Sequence, residues 1–481
     1  MSIETAIQFL NSRFGYKLNS EYYSNISVWK DWWKGTHKPF HRYRDHSGDK
    51  VIERDMYTLK MAKKIAEDWA TLLLNEKTKI FVGEDDENKT TLEILIAFLD
   101  NNRFWQEANR LVETAFYSGT GAFVLQLNNI KLNNDSIVEA DSETMLKICY
   151  LSAQQIIPIS VIDGEIQEVA FVSEQLIKGV KYVYIEVHLL ENDKYVIYNF
   201  LIHKDRGTII DDELPSGIIK RFETGEKVPF FSIVSPSIVN SFENNNGLGM
   251  SIYAQAIDNL KGCDLSYNNF NRDFYLGGKK VFYNKRLIAQ DANGKSIAPD
   301  DVCQQLFAYV DDDAMTPDDE KSLWKEFNPL LRVTENTDGI QAQLDFLSFK
   351  VGFGTKHYQF NSGTITTATQ YTGDKQELIQ HTQKHTLVLD RALKAFFHTI
   401  LWAMQKYVGE NIDLNADIKI DFDDGYIDKQ SERTQDMLDV SAGLLMPYEY
   451  RMKWYGESAD EAKAVIAENT KINNQWLGFE E

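Results

Sequence analysis

A long amphipathic helix near the end of the sequence constrains the fold more than any other feature. Apolar and packing side chains recur at steps of three and four residues, in the series Leu378, Thr382, His385, Leu389, Leu393, Phe396, Ile400, Met404 and Tyr407. This spacing predicts one helix over residues 367–408 with a single buried face. At 1.5 Å per residue the helix would be roughly 60 Å long, about twice the diameter of a small domain. It must therefore run through or across a larger body.

The segment directly before this helix is rich in glycine and hydroxyl side chains. Residues 352–366 follow no regular period, which predicts a flexible loop. Thr367 and Gln370 fit a capping box at the start of the helix. A flexible loop joined to a long helix suits a moving or gripping part. An ordinary connection between helices fits the same residues, and both interpretations stay open.

The composition is that of a folded protein in a reducing compartment. With 481 residues, 43% hydrophobic and 12% aromatic, the chain is large enough for about two to four compact units, and wholesale disorder is excluded. Its three cysteines, Cys149, Cys263 and Cys303, lie far apart, without the spacing of a metal site or a disulfide framework. No apolar run approaches the ~20 residues of a membrane span, and the first residues lack the pattern of a signal peptide. We expect a soluble protein that is made in a cytoplasm and does not enter a membrane.

The charge balance argues against tight nucleic-acid binding. The sequence has 51 Lys and Arg residues against 72 Asp and Glu residues, a net charge of -21. Proteins that wrap nucleic acid need clustered cations on their surface. A protein that surrounds DNA without holding it is not excluded, because an acidic wall lets a polyanion slide where a basic wall would bind it.

Aromatic and basic residues are interleaved near the N-terminus. Residues 1–75 have helical periodicity with many Tyr and Trp side chains, and residues 37–46 form a basic, histidine-containing loop. Such interleaving occurs in platforms that bind nucleic acid. A packed helix pair with a solvated loop explains the same pattern and is the simpler interpretation.

The rest of the chain alternates between β-rich and helical segments, which predicts an α+β fold. Residues 123–238 contain short β-branched and aromatic runs separated by turn signals, as in an antiparallel domain built of hairpins. A second long helix over residues 249–278 ends at a Gly-Gly pair, and a shorter apolar helix covers residues 340–351. Between them lies a small mixed insertion. An alternating stretch at residues 418–422 predicts a strand that joins the earlier sheet, and a helical tail follows from residue 428.

No motif in the sequence indicates a catalytic, cofactor or metal site. Gly247 and Gly249 lack the third glycine of a dinucleotide fingerprint, and no GxxxxGK[ST] loop occurs. His381 and His385 stand four residues apart without a third ligand or the glutamate of an HExxH motif, and packing explains His385 on the apolar face. The acidic run from Asp421 resembles part of a calcium loop but lacks its final glutamate, so the sequence gives only weak support for a divalent ion there and leaves that alternative open. We predict no enzyme, no cofactor and no bound metal.

Two sets of cations are candidates for transient contact with a phosphate backbone. Arg272, Lys279 and Lys280 close the second long helix. Lys356 and His357 lie in the loop before the longest helix. The first set is explained equally well as cations that stabilise the C-terminal end of a helix.

Taken in order, these elements resemble the portal proteins of tailed double-stranded-DNA bacteriophages, of the siphophage type. The resemblance covers most of the chain and depends on the order and spacing of several stretches. These are residues 29–35, residues 61–76 with Trp-Ala-x-Leu-Leu-x-Asn-Glu, residues 118–124, residues 246–282 from Gly-Leu-Gly-x-Ser-Ile-Tyr to Gly-Gly-Lys-Lys-Val-Phe, and Thr-Thr-Ala-Thr-Gln at 366–370. The family often has a glutamate where this sequence has Gln370, so a charge-based role of that position is not carried over.

The resemblance implies a portal-like α+β fold arranged around a channel. It implies a wing at 1–248 with a β-rich part at 123–238, stem helices at 249–278 and 340–352, a small α/β clip at 279–339, a tunnel loop at 353–366, a long helix that returns to the wing at 367–427, and a helical crown at 428–481. The residues that it places in the tunnel loop of the DNA channel are Lys356, His357, Tyr358, Asn361 and Thr364. The stem and clip cations are Arg272, Lys279 and Lys280.

The resemblance also implies a function for the assembly. It implies a ring, usually of twelve copies, that surrounds double-stranded DNA at one capsid vertex of the virion and serves in genome packaging, retention and ejection. The terminase large subunit would dock on the ring and hydrolyse ATP. Major capsid, scaffolding and head-completion adaptor proteins would be further partners, and the ring would assemble in the host cytoplasm. Another oligomeric head-neck connector or minor capsid protein is the alternative, and a hydrolase with acidic catalytic residues is a third class.

Overall fold

Helices and mainly antiparallel sheets occupy separate stretches of the chain. This computed structural model describes residues 2–47, 50–75, 77–83, 86–132, 138–141, 143–204, 218–243, 246–284, 307–310, 324–359, 368–422 and 429–476. The chain divides into two compact units, one of Met1–Gly363 with Gln380–Phe422 and one of Thr364–Ile379 with Asp423–Glu481. The predicted α+β class is confirmed. In the described ranges, no helix is long and apolar enough to cross a membrane.

The N-terminal part of the first unit is a helical layer with one β-hairpin. Its elements are α1 Ser2–Phe14, α2 Tyr22–Lys34, α3 Lys38–His41, β1 Arg42–Ser47, β2 Lys50–Asp55 and α4 Met61–Leu73. The aromatic face of α2 is buried, including Trp29 and Trp32, and α4 buries Trp69 completely. The interpretation of these aromatic residues as helix packing is therefore confirmed.

The basic segment that was predicted as a loop forms a β-hairpin, with β1 and β2 paired antiparallel. Arg42 lies 3.5 Å from the carboxylate of Glu53 and 3.3 Å from that of Asp55. Arg54 lies 3.1 Å from the carboxylate of Asp45. These cross-strand ion pairs place carboxylates beside Arg42, one of the cations that suggested a nucleic-acid platform. The sequence signal for the hairpin is a two-residue Gly-Asp step between two extended runs.

Two helices and a short strand follow the hairpin. These elements are β3 Lys79–Val82, α5 Asp86–Asn101 and α6 Phe104–Ser118. Strand β3 pairs antiparallel with β17, which covers Ile418–Asp421. The prediction of a strand at 418–422 is thus confirmed, but its partner is β3 and not the β-rich part of the chain. The return of the chain at β17 closes the first unit.

The β-rich part forms two antiparallel sheets, as its hairpin pattern predicts. Its strands are β4 Gly121–Asn128, β5 Lys131–Leu132, β6 Val138–Glu139, β7 Met145–Ser152, β8 Ile156–Ile162, β9 Glu165–Ile177, β10 Val180–Glu191, β11 Lys194–His203, β12 Arg221–Glu223 and β13 Phe231–Val234. One sheet has the order β12-β11-β10-β9-β8 and the other the order β13-β4-β7, while β5 and β6 pair with each other. The ring of Phe123 on β4 stacks 5.2 Å from that of Phe396 and lies 5.6 Å from that of Phe104 on α6. The core therefore joins α6, the smaller sheet and the longest helix.

Two antiparallel helices flank a small inserted sheet. The elements are α7 Ile257–Leu276, β14 Lys280–Asn284, β15 Phe307–Val310, β16 Trp324–Phe327 and α8 Val333–Lys350, and the sheet order is β15-β14-β16. Gly262 of α7 faces Gln343 of α8. Helix α7 begins later than predicted because the preceding amides bind elsewhere: the N–H of Gly249 donates to Thr120 and that of Ile252 to the carbonyl of Phe116. Helix α8 begins earlier than predicted.

The longest helix confirms the amphipathic stripe. Helix α9 covers Ala368–Ala403 and continues as a π-helical turn over Met404–Val408, which ends at Gly409 with a φ of 86°. The stripe residues from Leu378 to Tyr407 are buried except Met404, which is half-buried. The predicted cap at Thr367 lies outside the described residues.

The helical tail of the second unit consists of α10 Lys429–Ser441, α11 Pro447–Tyr455 and α12 Ala459–Trp476. Arg433 donates hydrogen bonds to the hydroxyl groups of Tyr450 and Tyr455, at 2.9 and 3.1 Å. The indole N–H of Trp454 donates to Asp436 at 2.7 Å. These bonds connect α10 to α11, as a small helical bundle requires.

Candidate functional site

The described part of the loop begins where α8 ends and lies against α4. Its aromatic side chains form a stack: the ring of Phe353 lies 4.7 Å from that of Trp69 and 4.4 Å from that of His357, with interplanar angles of 18° and 9°. The indole N–H of Trp69 donates to the carbonyl of Val351 at 3.3 Å. Phe353 is 1% exposed. Residues 351–359, here called the loop root, are therefore held by packing at Val351 and Phe353, while the side chain of Lys356 is exposed.

The carboxylate of Asp68 on α4 faces two polar side chains of the loop root. The hydroxyl of Tyr358 donates to Asp68 Oδ2 at 3.0 Å, and the Nε2 atom of His357 lies 4.0 Å from the same oxygen. Lys64 Nζ lies 2.5 Å from Asp68 Oδ1. From α8, Gln341 donates to the carbonyl of Tyr358 at 2.8 Å. The predicted channel residues His357 and Tyr358 thus both face α4.

Lys356 differs from its two neighbours. Its side chain is exposed, and its backbone has a φ of 66°, in the left-handed region that few non-glycine residues adopt. Of the three predicted channel residues in the described ranges, Lys356 is exposed, whereas His357 and Tyr358 are half-buried. The predicted channel residues Asn361 and Thr364 lie outside the described residues.

The cations that were predicted for the stem and clip lie at the other end of the helix pair. Arg272 is held by the β-hairpin, because its guanidinium lies 3.4 Å from Asp45 Oδ2 and 5.4 Å from the ring of Tyr43. Lys279 is exposed, and Lys280 begins β14, where its backbone pairs with β16. Helix α7 is roughly 30 Å long, so the structure does not bring these cations together with Lys356.

His385 is a packed residue, as its place on the apolar stripe predicts. Its ring lies 4.8 Å from that of Trp69 and 5.1 Å from that of Phe116, and its Nδ1 atom accepts the N–H of Ser237 at 2.9 Å. Burial lowers the pKa of His385 to about 3, with smaller contributions from nearby cations. His381 lies instead against Gly352. Within the described ranges, no group of three or more His, Cys, Asp or Glu residues could hold a metal ion.

Comparison with protein families identifies the family of the chain. The family model described as "Phage portal protein, SPP1 Gp6-like" matches residues 16–475, almost the entire chain. The chain belongs to this phage portal family. The predicted resemblance is confirmed, and the general role is that of a portal protein, a structural component of the virion and of its head-tail connection. A comparison with curated proteins finds no match.

Two further contacts, which no sequence pattern indicates, brace α7 against α8 in this portal protein. Arg332, just before α8, makes a two-pronged contact with Asp273 of α7, with N–O distances of 3.1 and 2.7 Å. The Arg332 guanidinium lowers the pKa of the Asp273 carboxyl. Asn336 donates to the same carboxylate at 2.7 Å. The partners are about 60 residues apart in sequence, which no local pattern can connect.

A buried pair joins α7 of the portal protein to its N-terminal layer. The Nε2 atom of His41 lies 3.0 Å from Asp264 Oδ2, and both side chains are 6% exposed. The other oxygen, Oδ1, accepts the backbone N–H of Leu59 at 2.8 Å. Asp264 therefore fixes both the end of α3 and the chain just before α4. His41, predicted as part of a basic loop, has a structural position instead.

Proposed function

We propose that this portal protein assembles into a ring, of twelve copies in the virion, that surrounds the DNA channel at one capsid vertex. The match to a portal family over residues 16–475 carries the proposal, because it covers the whole architecture and not a single domain. The ring would serve in genome packaging, retention and ejection.

The division of the chain into portal regions is part of this proposal. We assign a wing to 1–248, stem helices to 249–278 and 340–352, a clip to 279–339, a tunnel loop to 353–366, a return to the wing at 367–427 and a crown to 428–481. The antiparallel helices α7 and α8, which flank the small sheet β15-β14-β16, support the assignment of stem and clip. The helical tail supports the assignment of the crown.

The net charge suits a channel that does not bind DNA tightly. Twelve copies at -21 would give a ring of roughly -250 if all side chains titrate normally. Against such a background, a small number of cations is enough for transient contact with phosphates. We assign this contact to Lys356 in the tunnel loop, with Asn361 and Thr364 as further predicted channel residues. His357 and Tyr358 belong to the same loop and would support Lys356 from the loop root.

The proposed ring is a conduit and a docking platform without catalysis of its own. The portal family is structural and not enzymatic. We propose that the terminase large subunit docks at the clip and supplies ATP hydrolysis during packaging, and that head-completion adaptors replace it afterwards. Capsid and scaffolding proteins would contact the wing.

Electron microscopy of the purified protein tests the assembly. We expect rings with a central hole, with symmetry that can be counted in top views, and no ATP turnover by the protein alone. A stable monomer under all conditions would contradict the proposed ring.

Deletion of residues 356–364 tests the loop. We expect rings to form normally, while packaging or retention of DNA fails. As a control, Asn192→Gly changes the exposed turn between β10 and β11 at a residue with a φ of 50°, which glycine adopts readily, and should affect neither step. Loss of assembly on deletion of 356–364 would show that the loop is structural and would contradict its assignment to the channel.

A further inference from the structure

A single carboxylate, that of Asp68, connects the loop root to helix α4. Asp68 is 17% exposed at its side chain, and its two oxygens face different partners: Oδ1 faces Lys64 on the same helix, and Oδ2 faces Tyr358 and His357 of the loop root. A carboxylate that is largely removed from water and accepts several donors makes stronger hydrogen bonds than a solvated one. The contact with Tyr358 joins residues that are 290 positions apart.

An aromatic stack also holds the loop root. Phe353 lies between Trp69 and His357, and Trp69 also contacts His385 of α9. Trp69 and Asp68 are neighbours on α4, so the ring contact to Phe353 and the carboxylate contact to Tyr358 come from one turn of one helix. Stacked rings and a shared carboxylate together hold both ends of the segment 353–358.

The exposed cation lies between these two fixed points. Phe353 precedes Lys356 by three residues, and His357 and Tyr358 follow it directly. Because the backbone is held on both sides, the φ of 66° at Lys356 is maintained by its surroundings and its side chain is directed outward. A loop whose root is already ordered loses less conformational entropy when it engages a ligand than an unanchored loop does.

We propose that Asp68 is a positioning residue that holds the tunnel-loop root and thereby presents Lys356 to the DNA channel. This inference rests on the proposed function, since the channel role of the loop is part of it. Asp68 itself does not contact DNA. It acts through Tyr358 and His357, and nothing in the sequence of α4 marks it for this role.

Nitroxide labels report directly on the loop root in the full-length assembled protein. The label is attached to a cysteine introduced at the exposed Gln359, in a background in which the three native cysteines are replaced and rings still form. Its electron paramagnetic resonance spectrum separates immobile from mobile labels. The variants are Asp68→Ala, Asp68→Asn and Tyr358→Phe. Glu67→Ala is the matched control on the same helix, because the Glu67 carboxylate makes a long, exposed ion pair with Lys63 at 3.9 Å.

Asp68→Ala and Tyr358→Phe should each raise the ratio of mobile to immobile label about tenfold, because each removes one hydrogen bond to a charged group. Asp68→Asn keeps an acceptor for the Tyr358 hydroxyl and should stay close to the parent protein. Glu67→Ala should have no effect. The double variant Asp68→Ala with Tyr358→Phe should be no more mobile than Asp68→Ala alone, because Asp68→Ala already removes the acceptor of the Tyr358 hydroxyl. If Asp68→Ala fails to assemble, Tyr358→Phe carries the test, since it removes a single oxygen atom.

A DNA-packaging assay with the same variants separates the two levels of the proposal. The positioning role is supported if Asp68→Ala and Tyr358→Phe increase label mobility and reduce packaging. Asp68→Asn and Glu67→Ala should then show normal mobility and normal packaging. Increased mobility with unchanged packaging would overturn the channel role of the loop while leaving the anchoring by Asp68 supported. An unchanged spectrum in both Asp68→Ala and Tyr358→Phe would overturn the anchoring, whatever the packaging result.

Discussion

The Nδ1 atom of His385 accepts the backbone N–H of Ser237 at 2.9 Å, deep in the first unit. This bond requires Nδ1 to be unprotonated, because a protonated nitrogen cannot accept a hydrogen bond. The aromatic rings of Trp69 and Phe116 cover the imidazole and exclude water from it. The folded state therefore favours neutral His385, and protonation opposes folding.

Acid should destabilise the protein through His385. Burial lowers its pKa from the ordinary 6.5 to about 3 in the folded state, while the unfolded chain keeps the ordinary value. Between these two values the unfolded state binds more protons, so the free energy of unfolding falls as the pH falls below about 6.5. The loss should be about 1.4 kcal/mol per pH unit, or about 2 kcal/mol at pH 5.

Urea denaturation at pH 7 and pH 5 measures this effect. The variant His385→Gln keeps an acceptor for the N–H of Ser237 and cannot titrate in this range. It should be less stable than the parent at pH 7. Between pH 7 and pH 5, its free energy of unfolding should fall by about 2 kcal/mol less than that of the parent. Equal losses in both proteins would show that His385 does not couple folding to pH.

Asp264 should contribute far more to the free energy of unfolding than an exposed aspartate on the same helix does. Replacement by Ala leaves the imidazole of His41 and the backbone N–H of Leu59 without their buried acceptor, which should cost about 3 kcal/mol of unfolding free energy. Asp264→Asn keeps one acceptor and should cost less. Asp258→Ala is the matched control: this residue is 92% exposed and pairs with Lys261, so the change should stay within about 0.5 kcal/mol. Similar losses for Asp258→Ala and Asp264→Ala in urea denaturation would contradict the structural role.

The elements that were predicted well are those whose signal is local. The stripe from Leu378 to Tyr407 specifies a helix because steps of three and four residues place side chains on one face, whatever the helix packs against. The hairpins of the β-rich part were likewise indicated by turn residues between β-branched runs. The N-terminal hairpin carried the same kind of signal, but its charged strands do not alternate between apolar and polar residues.

The contacts of the candidate site could not be predicted in this way. Tyr358 meets Asp68 across 290 residues, and His41 meets Asp264 across 223 residues. Such pairs depend on how helices are placed in space, and no periodicity in one segment identifies the partner in another. For the same reason the sequence favoured a flexible loop from residue 352, whereas the contacts of Trp69 and Asp68 fix its first part.

Two glycines should respond in opposite ways to an added methyl group. Gly249 lies against the backbone of Gly119, so a Cβ at Gly249 would overlap the carbonyl of Gly119, and neither backbone can yield easily. Gly249→Ala should cost about 3 kcal/mol. Gly339 lies inside α8 with open space where a Cβ would be, and Gly339→Ala should add about 0.5–1 kcal/mol because alanine favours a helix.

Thermal and urea denaturation of both glycine variants gives the comparison directly. We expect Gly339→Ala to be more stable than the parent protein and Gly249→Ala to be less stable. If Gly249→Ala were as stable as the parent, the close approach of the two backbone segments would be wrong. A loss of stability in Gly339→Ala that appears only in the assembled ring would show that another molecule approaches α8 there.

The described cysteines should be protected from alkylation in the native protein. Burial raises the pKa of the Cys149 thiol to about 11, helped by the Glu186 carboxylate, and raises that of Cys263 to about 12, helped by Asp264. Only the thiolate reacts with iodoacetamide. At pH 8 a pKa of 11 leaves about one thiolate in a thousand, against about one in four for an ordinary pKa of 8.5.

Mass spectrometry of peptides after iodoacetamide treatment at pH 8 tests this protection residue by residue. In the native protein, Cys149 and Cys263 should react at least about 100-fold more slowly than in urea, where both recover an ordinary pKa and full access. Glu186→Gln serves as an internal comparison, because removing the carboxylate should speed the reaction of Cys149 and leave Cys263 unchanged. Rapid native alkylation of Cys263 would require α7 to separate from its neighbours in solution, since that side chain is fully buried against them.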